Sequence, residues 1–203
     1  MSSTNKTANL KLNQWVLTDP FLMEDMNADN QKIDAAVNAN PYVKLMDITT
    51  ASNAQQVDLN VSGIDLSKYA MLQLFATLAV SPMGTANAVY ARINNTGGYF
   101  AETMYNYSNY FRDYIAQFGA PSNDLGVARM EISGFTPIGS VKSGPLLIQS
   151  SGAGYASGNY ARDGFAFKQL SQLSEFASIN FLTNSTGVNI SAGSRFVIYG
   201  VRL

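Results

Sequence analysis

The hydrophobic period of this 203-residue chain changes once, at Pro41. Before Pro41, apolar residues recur at the spacing of an α-helix; after it, they alternate with polar residues, as in half-buried strands. Clusters rich in Gly, Ser and Asn, which are typical of turns, separate the later runs. The sequence therefore predicts an N-terminal anchoring segment over residues 1–40 and a mainly β domain over residues 41–203.

The anchoring segment is predicted to contain one amphipathic helix. Asp19 is expected to cap it and Pro20 to occupy its first position, and Pro41 should stop it. One face of this helix carries a narrow apolar stripe with a single polar interruption: Leu22, Met26, Asn30, Ile33 and Val37. A lone helix cannot bury such a stripe, so it must pack on its own domain, on a second copy or on a partner. Asn30 either sets the register of that contact or is simply solvated.

The β domain is predicted to be an antiparallel jelly-roll-like sandwich. The expected strands are short and separated by turns, and they cover residues 57–61, 71–80, 88–93, 127–132, 145–149, 164–167, 177–183 and 195–203. The run 71–80 is interpreted as a central strand with both faces covered, and the clusters 94–98, 150–154 and 184–187 as turns. Many short strands with almost no helical pattern favour this fold class.

Composition excludes several function classes. The chain has no Cys and no His, so disulfides, Cys/His zinc sites, thiol nucleophiles and imidazole bases are excluded. Its 13 basic and 14 acidic residues give a net charge of −1, which argues against binding nucleic acid. The longest apolar run is about a dozen residues, against about 20 for a membrane span, so no membrane insertion is expected. We expect neither an enzyme nor a nucleic-acid-binding protein.

Three sequence features partly resemble metal-binding, phosphate-binding or catalytic motifs, and none predicts such a site. Asp25, Asn27 and Asp29 match the opening of a calcium loop, but the required Gly and the final acid are missing. The glycines of 152–158 only superficially resemble a phosphate loop. The remaining acids are scattered, and they are Glu102, Asp113, Asp124, Glu131, Asp163 and Glu175. We therefore predict no catalytic residue, metal or cofactor, and a glycan-degrading enzyme is kept only as a remote alternative.

Tyrosines are concentrated in the middle of the β domain. The candidate ligand surface consists of Tyr99, Tyr105, Tyr107, Tyr110, Tyr114, Tyr155 and Tyr160. Flat rings with a polar hydroxyl suit a saccharide or protein ligand. Packing inside the domain or between subunits is the alternative. The spacing of Tyr107, Phe111, Tyr114 and Phe118 is also compatible with a short aromatic helix or a long structured loop.

The first 34 residues resemble the start of many structural proteins of tailed-phage and phage-tail-like particles. The matching residues follow the pattern N-L-x-L at 9–12, D-P at 19–20, D-x-N-x-D at 25–29 and I-D at 33–34. The β domain is similar to the sandwich heads of the same proteins at two places. These are G-I-D-L-S-K-Y at 63–69 and G-S-R-F-V-I-Y-G at 193–200. Residues 95–160 match no family motif.

This resemblance implies a homotrimeric tail-fibre or baseplate receptor-binding protein of the virion, assembled in the host cytoplasm. The N-terminus is expected to attach to other particle proteins. The sandwich loops are expected to contact a host glycan or surface protein. A capsid decoration or head-fibre protein without a specific receptor is the alternative.

Overall fold

The computed structural model describes residues 3–81, 87–96, 99–103, 108–112, 116–120, 126–135, 145–155, 159–170, 172–183 and 185–203. The chain is divided into two compact units, Met1–Pro41 and Tyr42–Leu203. The first unit contains two short strands and a helix, and the second contains all the remaining described elements.

The N-terminal unit pairs β1 (Asn5–Lys6) with β2 (Asn13–Gln14) and continues into α1 (Met23–Asn38). The predicted start of the helix was wrong. Leu22 is the N-cap and provides no side-chain cap, while Asp19 accepts hydrogen bonds from the backbone N–H groups of Thr4 and Val16, each at 3.0 Å. Asp19 therefore holds the preceding loop instead of capping the helix. The predicted helix end is confirmed, because the last helical residue is Asn38.

The second unit is built from short strands and two 3₁₀ turns. The strands are β3 (Tyr42–Thr49), β4 (Gln56–Asn60), β5 (Tyr69–Leu78), β6 (Val80–Ser81), β7 (Asn87–Ile93), β8 (Tyr99–Thr103), β9 (Ser108–Arg112), β10 (Ala116–Ala120), β11 (Gly126–Ser133), β12 (Pro145–Tyr155), β13 (Asn159–Gln169), β14 (Ser178–Thr183), β15 (Asn189–Ile190) and β16 (Arg195–Arg202). The 3₁₀ turns are Leu66–Lys68 and Leu173–Glu175.

The predicted antiparallel jelly-roll-like sandwich with a preceding helix is confirmed. One sheet has the order β10-β7-β14-β4, and the other contains the run β3-β16-β5-β11. Along the chain these eight strands alternate between the sheets except at β7 and β10, which pair in one sheet, and this order is the jelly-roll arrangement. All pairings in both sheets are antiparallel.

An extension enlarges one sheet of the jelly roll. Beyond β11 that sheet continues through β12, β13, β8 and β9, which gives eight strands in total. The extension comes from the segment 95–160, which matched no family motif, and from the strand that returns from it. The eight strands of the jelly roll therefore keep their order, and the added strands widen only one of its two sheets.

The core lies between the two sheets and is entirely apolar at its centre. Phe181 of β14 and Phe196 of β16 are fully buried, with ring centroids 4.9 Å apart across the sandwich. Phe135 and Phe176 stack at 6.0 Å close to the ends of their strands. Every residue of this core cluster belongs to the second unit.

Four local predictions for the β domain were wrong. β3 was not predicted, because a bulge opposite Ile198 and Tyr199 turns both Leu45 and Met46 inward and interrupts the alternation. β5 is central in its sheet, but its outer face is open, since Phe75 is 40% exposed. Residues 150–154 are part of β12 and not a turn. The aromatic stretch forms β9 and β10 where a helix or a long loop was expected.

Candidate binding surfaces

The five predicted anchor residues, Leu22, Met26, Asn30, Ile33 and Val37, lie along one side of α1. At 100° per residue their positions fall within an arc of roughly 80°. Leu22 at the N-cap is half-buried, and the other four are exposed, with Ile33 42% and Val37 65% accessible. We call these residues the anchor face. It is an apolar stripe that its own unit leaves uncovered.

A polar side of the same helix makes the contacts that organise the N-terminal unit. Asp29 is the buried residue of α1, and its Oδ2 accepts hydrogen bonds from the backbone N–H and side-chain amide of Asn13, at 2.7 and 2.9 Å. Lys32 Nζ lies 3.1 Å from Asp29 Oδ1 and also donates to the carbonyl of Lys11. Burial opposes ionisation of Asp29, but these hydrogen bonds outweigh it and lower the pKa of its carboxyl.

Aromatic and apolar side chains of the N-terminal unit are also exposed. Trp15 contacts Phe21 with ring centroids 5.3 Å apart, and Phe21 is more than half exposed. Leu17 and Met23 are exposed as well. The indole Nε1 of Trp15 and Oδ2 of Asp25 are buried and have no hydrogen-bond partner. This unit therefore leaves apolar side chains exposed and two buried polar atoms without a hydrogen-bond partner.

The tyrosine cluster can be placed only in part. Tyr105, Tyr107 and Tyr114 lie outside the described residues. The other four lie in strands of the extension: Tyr99 in β8, Tyr110 in β9, Tyr155 in β12 and Tyr160 in β13. At these four positions the backbone alone is described. Tyr110 pairs with Ala101 and Tyr160 with Gly154. The extension therefore brings these four positions into a contiguous set of four strands, and their role as a ligand surface stays a prediction.

A second surface, which the sequence did not predict, lies on the outer face of the eight-stranded sheet. Its residues pair in one row across five strands: Tyr199, Gln73, Glu131, Gln149 and Phe165. Gln73 donates its amide to Glu131 Oε1 at 3.1 Å, and Arg129 forms an ion pair with the same carboxylate. We call this set the cross-sheet row.

Phe75 and Arg129 flank the cross-sheet row. The rings of Phe75 and Tyr199 meet edge to face at 6.1 Å, and the guanidinium of Arg129 lies 5.8 Å from the centre of the Phe75 ring. A depression of about 170 Å³ lies beside them, lined by Arg129, Glu131, Gln149, Ser150 and Ser151. The face therefore combines exposed rings with side chains that donate and accept hydrogen bonds.

An ion-pair cluster lies on the same face of the sheet, on β3 and β16. Asp47 accepts two hydrogen bonds from the guanidinium of Arg195, each at 2.8 Å, and one from Lys44 at 3.1 Å. The paired guanidinium and then the Lys44 ammonium hold the pKa of Asp47 well below its ordinary range, and the same contact raises the pKa of Arg195. The cluster fastens β3 to β16, and its two cations around one carboxylate leave a net charge of +1 at this edge of the face.

The other motifs acquire structural roles. Gly152 and Gly154 lie in the β12 ladder, which removes the resemblance to a phosphate loop. Among the described residues, no group of three or more Asp or Glu side chains is arranged to hold a metal ion. No described helix has the length and apolar character needed to cross a membrane.

Comparisons with known proteins add little to this picture. No family model and no curated protein matches the chain. Among solved structures, it is similar to a GH43 glycoside hydrolase engineered to display both endo-xylanase and exo-arabinofuranosidase activity. The identity is 12%, the TM-score is 0.37, and the match covers 78% of this chain and 35% of that enzyme. At this TM-score the likeness carries no argument about fold or activity.

One sign that this face carries an exposed aromatic side chain is present in the sequence. Along β5, the buried phase is Leu72, Leu74 and Ala76, and the outward phase includes Gln73 and Phe75. A phenylalanine on the polar phase of a strand marks a surface aromatic. The sequence analysis predicts that run 71–80 is buried on both faces, so it does not include this exposed side chain.

Proposed function

We propose that this protein is a structural and receptor-binding component of a phage-tail-like particle, a homotrimer that attaches by its N-terminal unit and binds the host with its β-sandwich head. The anchor face carries the proposal. It is an apolar stripe on a helix of a unit that is compact by itself, and that unit leaves the stripe exposed.

The energetics of exposure support an intermolecular contact. Burying an apolar side chain of this size is worth about 1.5–3 kcal/mol, so three or four of them in one seam provide a strong drive to associate. Asn30 lies between Met26 and Ile33 in the stripe, where a polar residue can select register and number of chains. The trimeric state itself comes from the resemblance of residues 9–34 to particle proteins.

The architecture of the head supports binding without turnover. Its core is complete within Tyr42–Leu203, so the head can serve as a rigid platform. Loops and added strands on such a platform supply the recognition surface. The extension strands and the cross-sheet row are the two regions available for host contact.

The test is size-exclusion chromatography with light scattering on the full chain and on residues 42–203. We expect a trimer for the full chain and a monomer for the head, because assembly is assigned to the anchor face. A trimer in both would move the subunit contact into the sandwich and contradict the anchor. Monomers in both would favour the alternative, a decoration protein whose helix inserts into another particle protein.

A second experiment separates a receptor-binding protein from a decoration protein. Fluorescently labelled full-length protein is incubated with host cells and unbound protein is removed. Retention on cells supports receptor binding. Particle attachment without any retention on cells supports the capsid decoration or head-fibre alternative.

A further inference from the structure

The cross-sheet row has an order of side chains that is informative in itself. Three polar side chains on adjacent strands, Gln73, Glu131 and Gln149, lie between the rings of Tyr199 and Phe165. Beyond the two rings the same register continues to Lys44 of β3 on one side and to Glu102 of β8 on the other. Four strand spacings of about 4.8 Å separate the two rings, so the row is roughly 19 Å long. A surface of this length suits an elongated ligand lying across the strands.

This order differs from that of a protein interface. Protein interfaces have an apolar centre and a polar rim. Here the polar groups are central, and the exposed apolar side chains Phe75, Val127, Leu147 and Phe165 lie around them. Contact with a second protein would bury the Arg129–Glu131 pair, at a cost in desolvation.

The charges beside the row favour an uncharged ligand. Arg129 is paired with Glu131 at the row, and the one net positive charge, left where Arg195 and Lys44 share Asp47, lies at the β3–β16 edge of the sheet. Among the described residues, no unpaired cation lies beside Gln73, Glu131 or Gln149 to attract a phosphate or carboxylate. What the face offers is a mixture of amide, hydroxyl and carboxylate groups next to aromatic rings.

Carbohydrate chemistry matches this mixture. A sugar ring has an apolar C–H face that contacts an aromatic ring and a rim of hydroxyls that both donate and accept hydrogen bonds. Among the described residues, the side-chain amide of Gln149 has no partner, and it lines the depression next to Glu131. At about 170 Å³ the depression is smaller than the roughly 300–1,000 Å³ of a drug-sized ligand site. The depression is therefore too small to enclose a drug-sized ligand, and a polymer bound there would extend beyond it.

We propose that the cross-sheet row is a binding site for a neutral polysaccharide. The row holds the polymer across β16, β5, β11, β12 and β13, with Phe165 and Tyr199 contacting sugar rings and Gln149 and Glu131 contacting hydroxyls. This names a ligand class for the head, and its biological role in host attachment rests on the proposed function.

The test is affinity electrophoresis of the full-length protein in native gels that contain dextran, mannan, galactan or the acidic polymer polygalacturonate. We expect at least one neutral polymer to retard the protein and polygalacturonate to retard it less. Phe165→Ala and Gln149→Ala should each weaken the retarding association by about tenfold. Both side chains are exposed, so the variants should keep the thermal melt of the parent, and either variant suffices if the other fails to fold.

The matched control is Tyr42→Ala, which removes an exposed aromatic side chain from β3 of the same sheet. β3 pairs with β16, and Tyr42 lies opposite Val201, two residues along β16 from Tyr199 and five strands from Phe165, so this variant should weaken binding far less than Phe165→Ala does. Equal loss in Tyr42→Ala, or no retardation by any neutral polymer, overturns the inference. So does a change of mass in light scattering on Phe165→Ala, which would make the face a subunit contact.

The glycan site and the proposed function can fail separately. Retardation of a chain that light scattering shows to be monomeric would uphold the glycan site and contradict the trimeric anchor. A trimer that no neutral polymer retards would do the reverse.

Discussion

The two units of this chain are stabilised by different kinds of contact. In the head, large apolar side chains such as Phe181, Phe196 and Leu74 are fully buried between two sheets. In the N-terminal unit the buried residue of the helix is Asp29, and the apolar residues Ile33 and Val37 are exposed. The difference shows that apolar sequence does not by itself indicate a core: the head buries its apolar phase within the chain, and the N-terminal unit keeps its own available.

The largest expected effect is on the core of the head. Phe196→Ala removes a fully buried ring and its 4.9 Å contact with Phe181, and it should lower the free energy of unfolding by about 3–5 kcal/mol. Denaturant unfolding followed by far-UV circular dichroism measures the loss. If Trp15 fluorescence shows the same shift of midpoint, the units unfold cooperatively and their contrast in stabilisation is weaker than described.

A smaller effect is expected at Gly200 in β16. A Cβ at this position would lie 2.5 Å from Cε1 of Tyr69 and 2.9 Å from Cδ1 of Leu45. Gly200→Ala should therefore destabilise the head by about 1–3 kcal/mol through overpacking. Gly63→Ala, where a Cβ meets nothing within 4 Å, is the matched control and should differ far less in its melting temperature. Equal melting temperatures of the two variants would mean that Tyr69 and Leu45 pack less closely against Gly200 than described.

The N-terminal unit should lose part of its stability in acid. Hydrogen bonds from Thr4 lower the pKa of Asp19, and those from Asn13 and Lys32 outweigh burial at Asp29. A carboxyl whose pKa is lower when folded stabilises the fold above its unfolded pKa of about 3.9, and this contribution is lost as the pH falls through the folded value. Emission from Trp15, the only tryptophan, should report that loss.

Two variants sharpen the acid experiment. Asp29→Asn removes the titrating group and should flatten the response of Trp15 emission below about pH 4. Asp34→Asn changes an exposed carboxylate on the same helix and should leave the response unchanged. If Asp29→Asn titrates as the parent does, the hydrogen bonds of Asp29 do not organise this unit.

Strand alternation made most of the head predictable. Strands such as β11 and β16 keep a strict phase, because one of their faces lines the core and the other does not. β3 escaped prediction because its bulge breaks that phase near Leu45. Residues 150–154 were misread because small residues serve equally in turns and in a strand that is paired on both sides.

The binding surfaces were predictable to different degrees. The anchor face depends only on helical spacing within one segment, so the sequence contains it. The cross-sheet row depends on register between the consecutive strands β11, β12 and β13 and two strands distant from them in sequence, β5 and β16. No local pattern therefore brings Gln73 beside Glu131. The hydrogen bond from Asn13 to Asp29 was not predicted either, because it joins residues 16 apart in sequence that no local pattern relates.

The central claim, that the anchor face is kept for an intermolecular contact, is tested most directly by light scattering on Ile33→Asp. Gln31→Asp adds the same charge about 200° around the helix and is the matched control. We expect Ile33→Asp to be monomeric with the melting temperature of the head unchanged, and Gln31→Asp to remain an oligomer. An Ile33→Asp chain that assembles as the parent does would contradict the claim.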